Sequence, residues 1–241
     1  MTSYELKVME ELSKWQKKML RKPSYVNRVS KNLQNKINEL LPEKLHRGLT
    51  KVIKEMVRAV LFGSKYTTRK PVKDKSLEVR EAIIQEKINS YRQTAAAEGG
   101  ITGAGGFAFS LADFPLLLTI KFKLLFEIAA IYGYSGKDYR ERLYILYIFQ
   151  LAFSSREHQR NIFLQMVDWD QKLHELPEDI HQFNWRTFQQ EYRDYLDVAK
   201  LAQMIPIIGA AVGFVVNYRL VNKLGETAMN AYRMRWKVNP S

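Results

Sequence analysis

Three carboxylates, Glu98, Asp113 and Glu127, stand in apolar or glycine-rich stretches and are the residues whose chemistry could matter most. Paired carboxylates can act as general acid and base, hold a proton, or bind a ligand or metal. Glu127 shares one helical face with Leu117, Ile120, Leu124, Ile128 and Ile131. A carboxylate on such a stripe must be paired, hydrogen-bonded or protonated, because burying it bare is expensive. A structural ion pair, with a distant Arg or Lys or with Lys123 one turn earlier, outweighs a functional acid there. Asp113, with Pro115 just behind it, reads first as a helix N-cap. Glu127 follows 14 residues later, about 21 Å along a helix, so the two are too far apart to act on one bond. A two-carboxylate site therefore needs Glu98 to approach from the neighbouring helix, with Phe107, Phe109 and Phe126 as pocket walls.

Other chemistries have less to stand on. The chain has no cysteine, which excludes a disulfide framework and thiolate chemistry. His46, His158, His174 and His181 lie in polar surroundings without the spacing of a zinc-protease pair. No serine elbow is present. Gly103, Gly105 and Ala108 make a loose dinucleotide fingerprint, but that motif needs a strand before it, and residues 76–97 read as helix. No catalytic residue, cofactor or metal is assigned. The glycines have a simpler use in close helix contact. Ala95, Gly99 and Gly103 fall four apart, and Gly209 and Gly213 lead to Asn217 on a second stripe of the same kind. Either the two stripes pack together in a buried core hairpin, which weighs more, or they enter a membrane. The longest uncharged run, residues 201–218, includes Gln203, Pro206 and Asn217 and sits at the lower limit for a span. Asp113 interrupts the other apolar stretch, and its charge would be costly at mid-bilayer.

The elements that hold these residues are helices throughout. Tyr4, Val8, Leu12, Trp15 and Met19 recur at three and four, and Pro23 ends that helix. Further stripes run over residues 26–41 and 42–61, with Gly63 as the stop. Residues 64–75 are polar, basic and contain Pro71, which suits a linker. Ser76 caps the next helix, Gly133 closes the long apolar one, and Asp138 opens another. Ser155 opens one that runs to about Glu175, Pro177 breaks the chain, Asn184 begins a helix to about Met204, and Pro206 interrupts it. The expectation is an all-α, multi-helix bundle of roughly nine or ten helices with two glycine-striped apolar segments. Its divisions are a basic amphipathic N-terminal region at 1–63, a linker at 64–75 and a helical core at 76–241.

The net charge is +13, and residues 1–98 hold 22 Lys and Arg against 11 Asp and Glu, which accounts for eleven of those thirteen charges. Such asymmetry predicts attraction to an anionic surface. Lys14, Lys17, Lys18, Arg21 and Lys22 flank Trp15 and Met19, the composition of an interfacial helix. An ordinary helix packing that stripe onto its own domain weighs slightly more, and Glu5, Glu10 and Glu11 weaken the membrane reading at the first turns. Nucleic acid is a weaker partner, since no recognised module accompanies the charge. The first residues do not read as a secretory leader.

With these motifs in view, the chain resembles the EcsC family. The residues that carry the resemblance are Ala97-Glu98-Gly99-Gly100 through Gly103, Gly105 and Gly106, then Asp113-Phe114-Pro115, Glu127-Ile128-Ala129 and Tyr132-Gly133-Tyr134. Ile205-Pro206-Ile207-Ile208-Gly209-Ala210, with Gly213 and Asn217, fits the same pattern, and the basic arm from Lys14 to Pro42 extends it to nearly the full length. The type member of that family accompanies a bacterial ABC transporter. The resemblance thus implies a cytoplasmic, transporter-linked protein. Together with the basic arm it sets the expectation of a protein on the inner face of the cell membrane, with an anionic membrane surface and a transporter's membrane subunit as partners. It carries over no enzymatic activity. A non-enzymatic accessory protein is the first expectation; an enzyme or small-ligand binder using Glu98, Asp113 and Glu127 is the alternative.

Overall fold

Thr2 opens the first helix, α1 (Ser3–Leu20), by accepting from the Glu5 amide at 3.2 Å while the Glu5 carboxylate accepts from the Thr2 amide at 2.8 Å. This reciprocal box satisfies two amides that the first turn leaves open. The structure is a computed structural model that describes residues 2–21, 43–62, 70–104, 106–177, 179–182 and 210–236. Seven further helices follow: α2 (Glu43–Phe62), α3 (Leu77–Ala104), α4 (Gly106–Tyr132), α5 (Tyr139–Phe153), α6 (Arg156–Met166), α7 (Trp169–Lys172) and α8 (Ala210–Arg235). A 3-10 turn covers Ile180–Gln182, and the described residues contain no strand. The helices expected over 26–41 and 184–204, with Gly63, Pro206 and Gly209, lie outside the described residues.

Several caps stand where residue chemistry places them. Ser76 Oγ accepts from the Val79 amide at the start of α3, and Asp138 accepts from the Arg140 amide at 2.9 Å at the start of α5. Gly133 ends α4 with φ of +100°, a conformation open to glycine. The helix α3 continues through Gly99 and Gly103 to Ala104. Two boundaries differ from expectation. Asp113 is not an N-cap, because α4 begins at Gly106 and carries Pro115 inside it. The stretch from Ser155 to Glu175 is not one helix. Asp168 adopts φ of +56°, which separates α6 from α7 and turns Trp169 into the core, where it is 1% exposed.

The three long helices α3, α4 and α8 hold 28, 27 and 26 residues, so each is about 40 Å long. The α3–α8 seam is the most extensive packing among the described residues. It runs antiparallel, because Glu81 meets Arg233, Gln85 meets Met229, and Arg92 meets Asn222. At Gly225 the two helices lie close, since a Cβ there would stand 2.5 Å from Ile88 Cδ1. The α3–α4 hairpin is also antiparallel, with Glu81 at Tyr132 and Tyr91 at Glu127. Accordingly α4 and α8 run parallel.

The remaining helices close around this trio. Phe149 of α5 stacks on Phe122 of α4 at 4.8 Å. From α5, the Arg142 guanidinium donates to Leu61 O at 2.8 Å, which satisfies a carbonyl at the end of α2. Ile53, Met56, Val57, Val60 and Leu61 of α2 and Val8 and Met19 of α1 belong to the same buried apolar cluster as the long helices. Residues 70–75, the described part of the expected linker, run along α4. The Val72 amide donates to Ala130 O at 2.8 Å, and the Arg80 guanidinium donates to Val72 O and Ile131 O.

Candidate functional site

The apolar stripe of α1 faces the protein. Trp15 meets Phe163 of α6 edge-on at 5.6 Å, Val8 and Met19 are buried, and the Tyr4 hydroxyl donates to Glu81 at 2.7 Å. The basic side faces out: Lys17, Lys18 and Arg21 are exposed, and Lys14 is exposed while it donates to Glu10 at 2.6 Å. Lys22 lies outside the described residues. A second apolar set, missed in the sequence, is exposed beside these cations: Leu6 at 58%, Met9 at 52% and Leu20 at 42%. On a helical projection they fall within about 60° of one another, next to Lys17 and Arg21 and turned away from the inward stripe.

Of the three carboxylates, Glu98 and Glu127 have described side chains. Glu127 accepts from the Tyr91 hydroxyl at 2.7 Å and pairs with the Lys87 ammonium at 3.0 Å, both from α3. This is the structural ion pair the apolar stripe demanded, made across the hairpin and not with Lys123. Glu98 is half-buried near the far end of α3. Asp113 belongs to α4, but its side chain lies outside the described residues. Gly99 and Gly103 belong to α3 and Gly213 to α8.

Asn217, the end of the second glycine stripe, leads to an unexpected partner. It is fully buried, and its Oδ1 accepts from Lys121 Nζ at 3.1 Å. Lys121 is itself fully buried on α4, and its other acceptor is Leu117 O at 3.5 Å. Among the described residues no carboxylate pairs with it. Burial alone pushes its amine down to about 7, because a bare ammonium in an apolar medium is costly. Lys121 lies on the stripe Leu117, Lys121, Leu124, Ile128, so the reasoning that singled out Glu127 would have found it.

Next along α8, Arg92 of α3 is handled similarly. Its guanidinium donates to Asn222 Oδ1 at 3.0 Å and Asn89 Oδ1 at 2.7 Å and lies 4.2 Å over the Tyr218 ring. No carboxylate among the described residues pairs with it, and its Nε is buried without an acceptor.

The opposite end of α8 has its charges matched. Arg233 donates to Glu81 at 2.8 and 2.6 Å and to Glu11 at 3.1 Å. Glu81 also accepts from the Tyr132 hydroxyl at 2.8 Å. Arg235 donates to Glu141 at 2.8 Å and to Asp170 at 3.0 Å, and its guanidinium lies over the rings of Tyr134 and Tyr144. The Tyr232 hydroxyl donates to Glu141 at 2.6 Å. Burial pushes the Glu141 carboxyl up, and Arg235 and Tyr232 oppose that shift. Burial raises the Tyr132, Tyr144 and Tyr232 phenols well above their usual value and pushes Tyr134 to about 12. All of these phenols stay protonated donors at neutral pH. This network holds α1, α3, α4, α5, α7 and α8 together at one end. Glu81 falls on the Leu77, Ile84, Ile88 stripe, a signal the sequence reading passed over.

Among the described residues no group of His, Asp and Glu is placed to hold a metal ion, and no helix is long and apolar enough to cross a membrane. The chain matches the EcsC protein family over residues 6–236. It is 44% identical to Protein EcsC of Bacillus subtilis (strain 168) over 236 residues, which cover 98% of this chain and 97% of that protein. It is 28% identical to the Uncharacterized protein YdbA of the same organism over 249 residues, which cover 94% and 90%. No solved structure matches it. A match over nearly the full length makes this chain a member of the EcsC protein family.

Proposed function

We propose that the protein is a non-enzymatic helical accessory factor that rests on the anionic inner face of a cell membrane through the outer side of α1. The observation that supports this is the juxtaposition of exposed Leu6, Met9 and Leu20 with exposed Lys17 and Arg21, with exposed Lys14 and Lys18 farther round the same helix. Trp15 and Met19, which face the bundle, anchor α1 instead of entering lipid. Each basic side chain near an anionic leaflet contributes about 1 kcal/mol. Moving each of the three apolar side chains out of water adds at most about 1.5–3 kcal/mol. The sum describes reversible, salt-sensitive binding. Membership of the EcsC family supports a place beside an ABC transporter, whose membrane subunit is the protein partner in this reading. The competing small-ligand reading loses its central acid, because the Glu127 carboxylate is already taken by Lys87 and Tyr91.

Co-sedimentation with phosphatidylglycerol and phosphatidylcholine vesicles at low and high salt tests this. Binding to the anionic vesicles should weaken in high salt, and in the triple variants Lys17→Gln, Lys18→Gln, Arg21→Gln and Leu6→Gln, Met9→Gln, Leu20→Gln. Equal binding by these variants, or none by the natural chain, would sink the reading.

A further inference from the structure

Lys121 Nζ is fully buried, is held by one side-chain oxygen of Asn217 and one backbone carbonyl, and faces no carboxylate among the described residues. An amine so placed carries unspent attraction for a negative charge. Its surroundings indicate which negative charge fits. Phe214 precedes Asn217 by three residues on α8, so the two are neighbours on one face, about 4.5 Å apart along the axis. Over that one turn the face passes from solvent to core, since Phe214 is 46% exposed and Asn217 is 0% exposed. Phe214 stacks on Tyr218 at 6.5 Å, and the Arg92 guanidinium lies over the Tyr218 ring. An amine with no countercharge among the described residues therefore lies one turn below an exposed aromatic side chain. That is the arrangement an anionic head with a hydrocarbon tail complements.

We propose that Lys121 and Asn217 form the head-group end of a site for a long-chain carboxylate, whose hydrocarbon chain lies against the stacked pair Phe214 and Tyr218. A carboxylate suits the site better than a phosphate. It has the planar size of the Asn217 carboxamide whose oxygen it displaces, and its single charge matches one ammonium, whereas a phosphate monoester brings nearly two. Binding converts the neutral amine to an ammonium by taking one proton from solvent, so the carboxylate and the proton enter together. No charged side chain of α3, α4 or α8 among the described residues bears on that amine, whose protonation is governed by burial alone. The site is separate from the α1 surface, and its failure would leave the vesicle reading untouched.

Calorimetric titration of the full-length protein with laurate below its micelle-forming concentration, in buffers of differing ionisation heat, tests the proposal. At about pH 8 the complex should take up close to one proton per laurate, and at about pH 6 much less, because Lys121 is then already charged. Lys121→Met should weaken laurate by about tenfold to a hundredfold, the worth of a charged hydrogen bond, and abolish the uptake. Asn217→Asp supplies a built-in carboxylate and should do the same. Acetate should bind far more weakly than laurate, and dodecyltrimethylammonium should not compete. Undiminished laurate binding by Lys121→Met, no proton uptake at the higher pH, or equal binding of the cationic amphiphile would each overturn the proposal.

Discussion

Near its C-terminal end α8 presents Arg233 and Arg235 to Glu11, Glu81, Glu141 and Asp170, whereas along its N-terminal half the cations of neighbouring helices meet the amide oxygens of Asn217 and Asn222. The same helix thus buries positive charge in two ways. Where countercharge is complete, the charges bind six helices into one end of the bundle. Where it is missing, the fold bears a cost, and the cost is lowest when Lys121 gives up its proton or gains an anion. A matched buried pair is a fastener, and an unmatched buried cation is a site in waiting.

Breaking the matched end should have the largest effect. Arg235→Met leaves Glu141 buried without its cation and should destabilise the protein by about 3–5 kcal/mol in urea denaturation. An unchanged midpoint would mean that the two ends do not differ in kind. Changing the unmatched end should act in the opposite direction. Lys121→Met replaces a costly amine with an apolar chain of similar length and should stabilise by roughly 1–4 kcal/mol near neutral pH.

The pH dependence sharpens the contrast. The folded-state value of Lys121, about 7, lies below its ordinary value of 10.5. Between these values the unfolded chain binds the extra proton, so this group makes stability rise with pH through that window, by about 1.4 kcal/mol per unit. Below the window both states are charged and the full cost persists. Lys121→Met should remove that rise, and a slope that survives the substitution would assign it to another group.

The smallest effect concerns the point between the two ends. Gly225→Ala pushes a methyl into Ile88 and should cost about 1–2 kcal/mol despite alanine's better helix propensity, with Ile88→Val restoring part of it. Full stability in the single variant would show that the seam yields there, and that the two ends of α8 are not held in one register.

Much of the helical scaffold was legible because it is local. Three-and-four spacing marks α1 through Tyr4, Val8, Trp15 and Met19, the caps at Ser76 and Asp138 depend on neighbouring residues, and Gly133 stops α4 through its own backbone. The boundaries that failed were also local readings. Asp113 with Pro115 argues for a start, yet α4 begins at Gly106 and runs through both, because helices clamped along their length by packing tolerate poor formers.

By itself the sequence determined an all-α chain, the faces each helix must bury, the basic excess before residue 98 and membership of the EcsC family. Tertiary structure alone decided who meets whom. Glu127 could be read as needing a partner, but only the hairpin chose Lys87 over Lys123. Asn217 could be placed on a stripe, but its partner stands 96 residues earlier in the chain. Both faces of α1 carry apolar residues, and packing on α6 and α8 decided that Trp15 turns inward and Leu6, Met9 and Leu20 outward. The physical reason is range. Helical period and capping act over three or four residues, whereas charge compensation in a core depends on which helices pack together, and sequence spacing carries no measure of that.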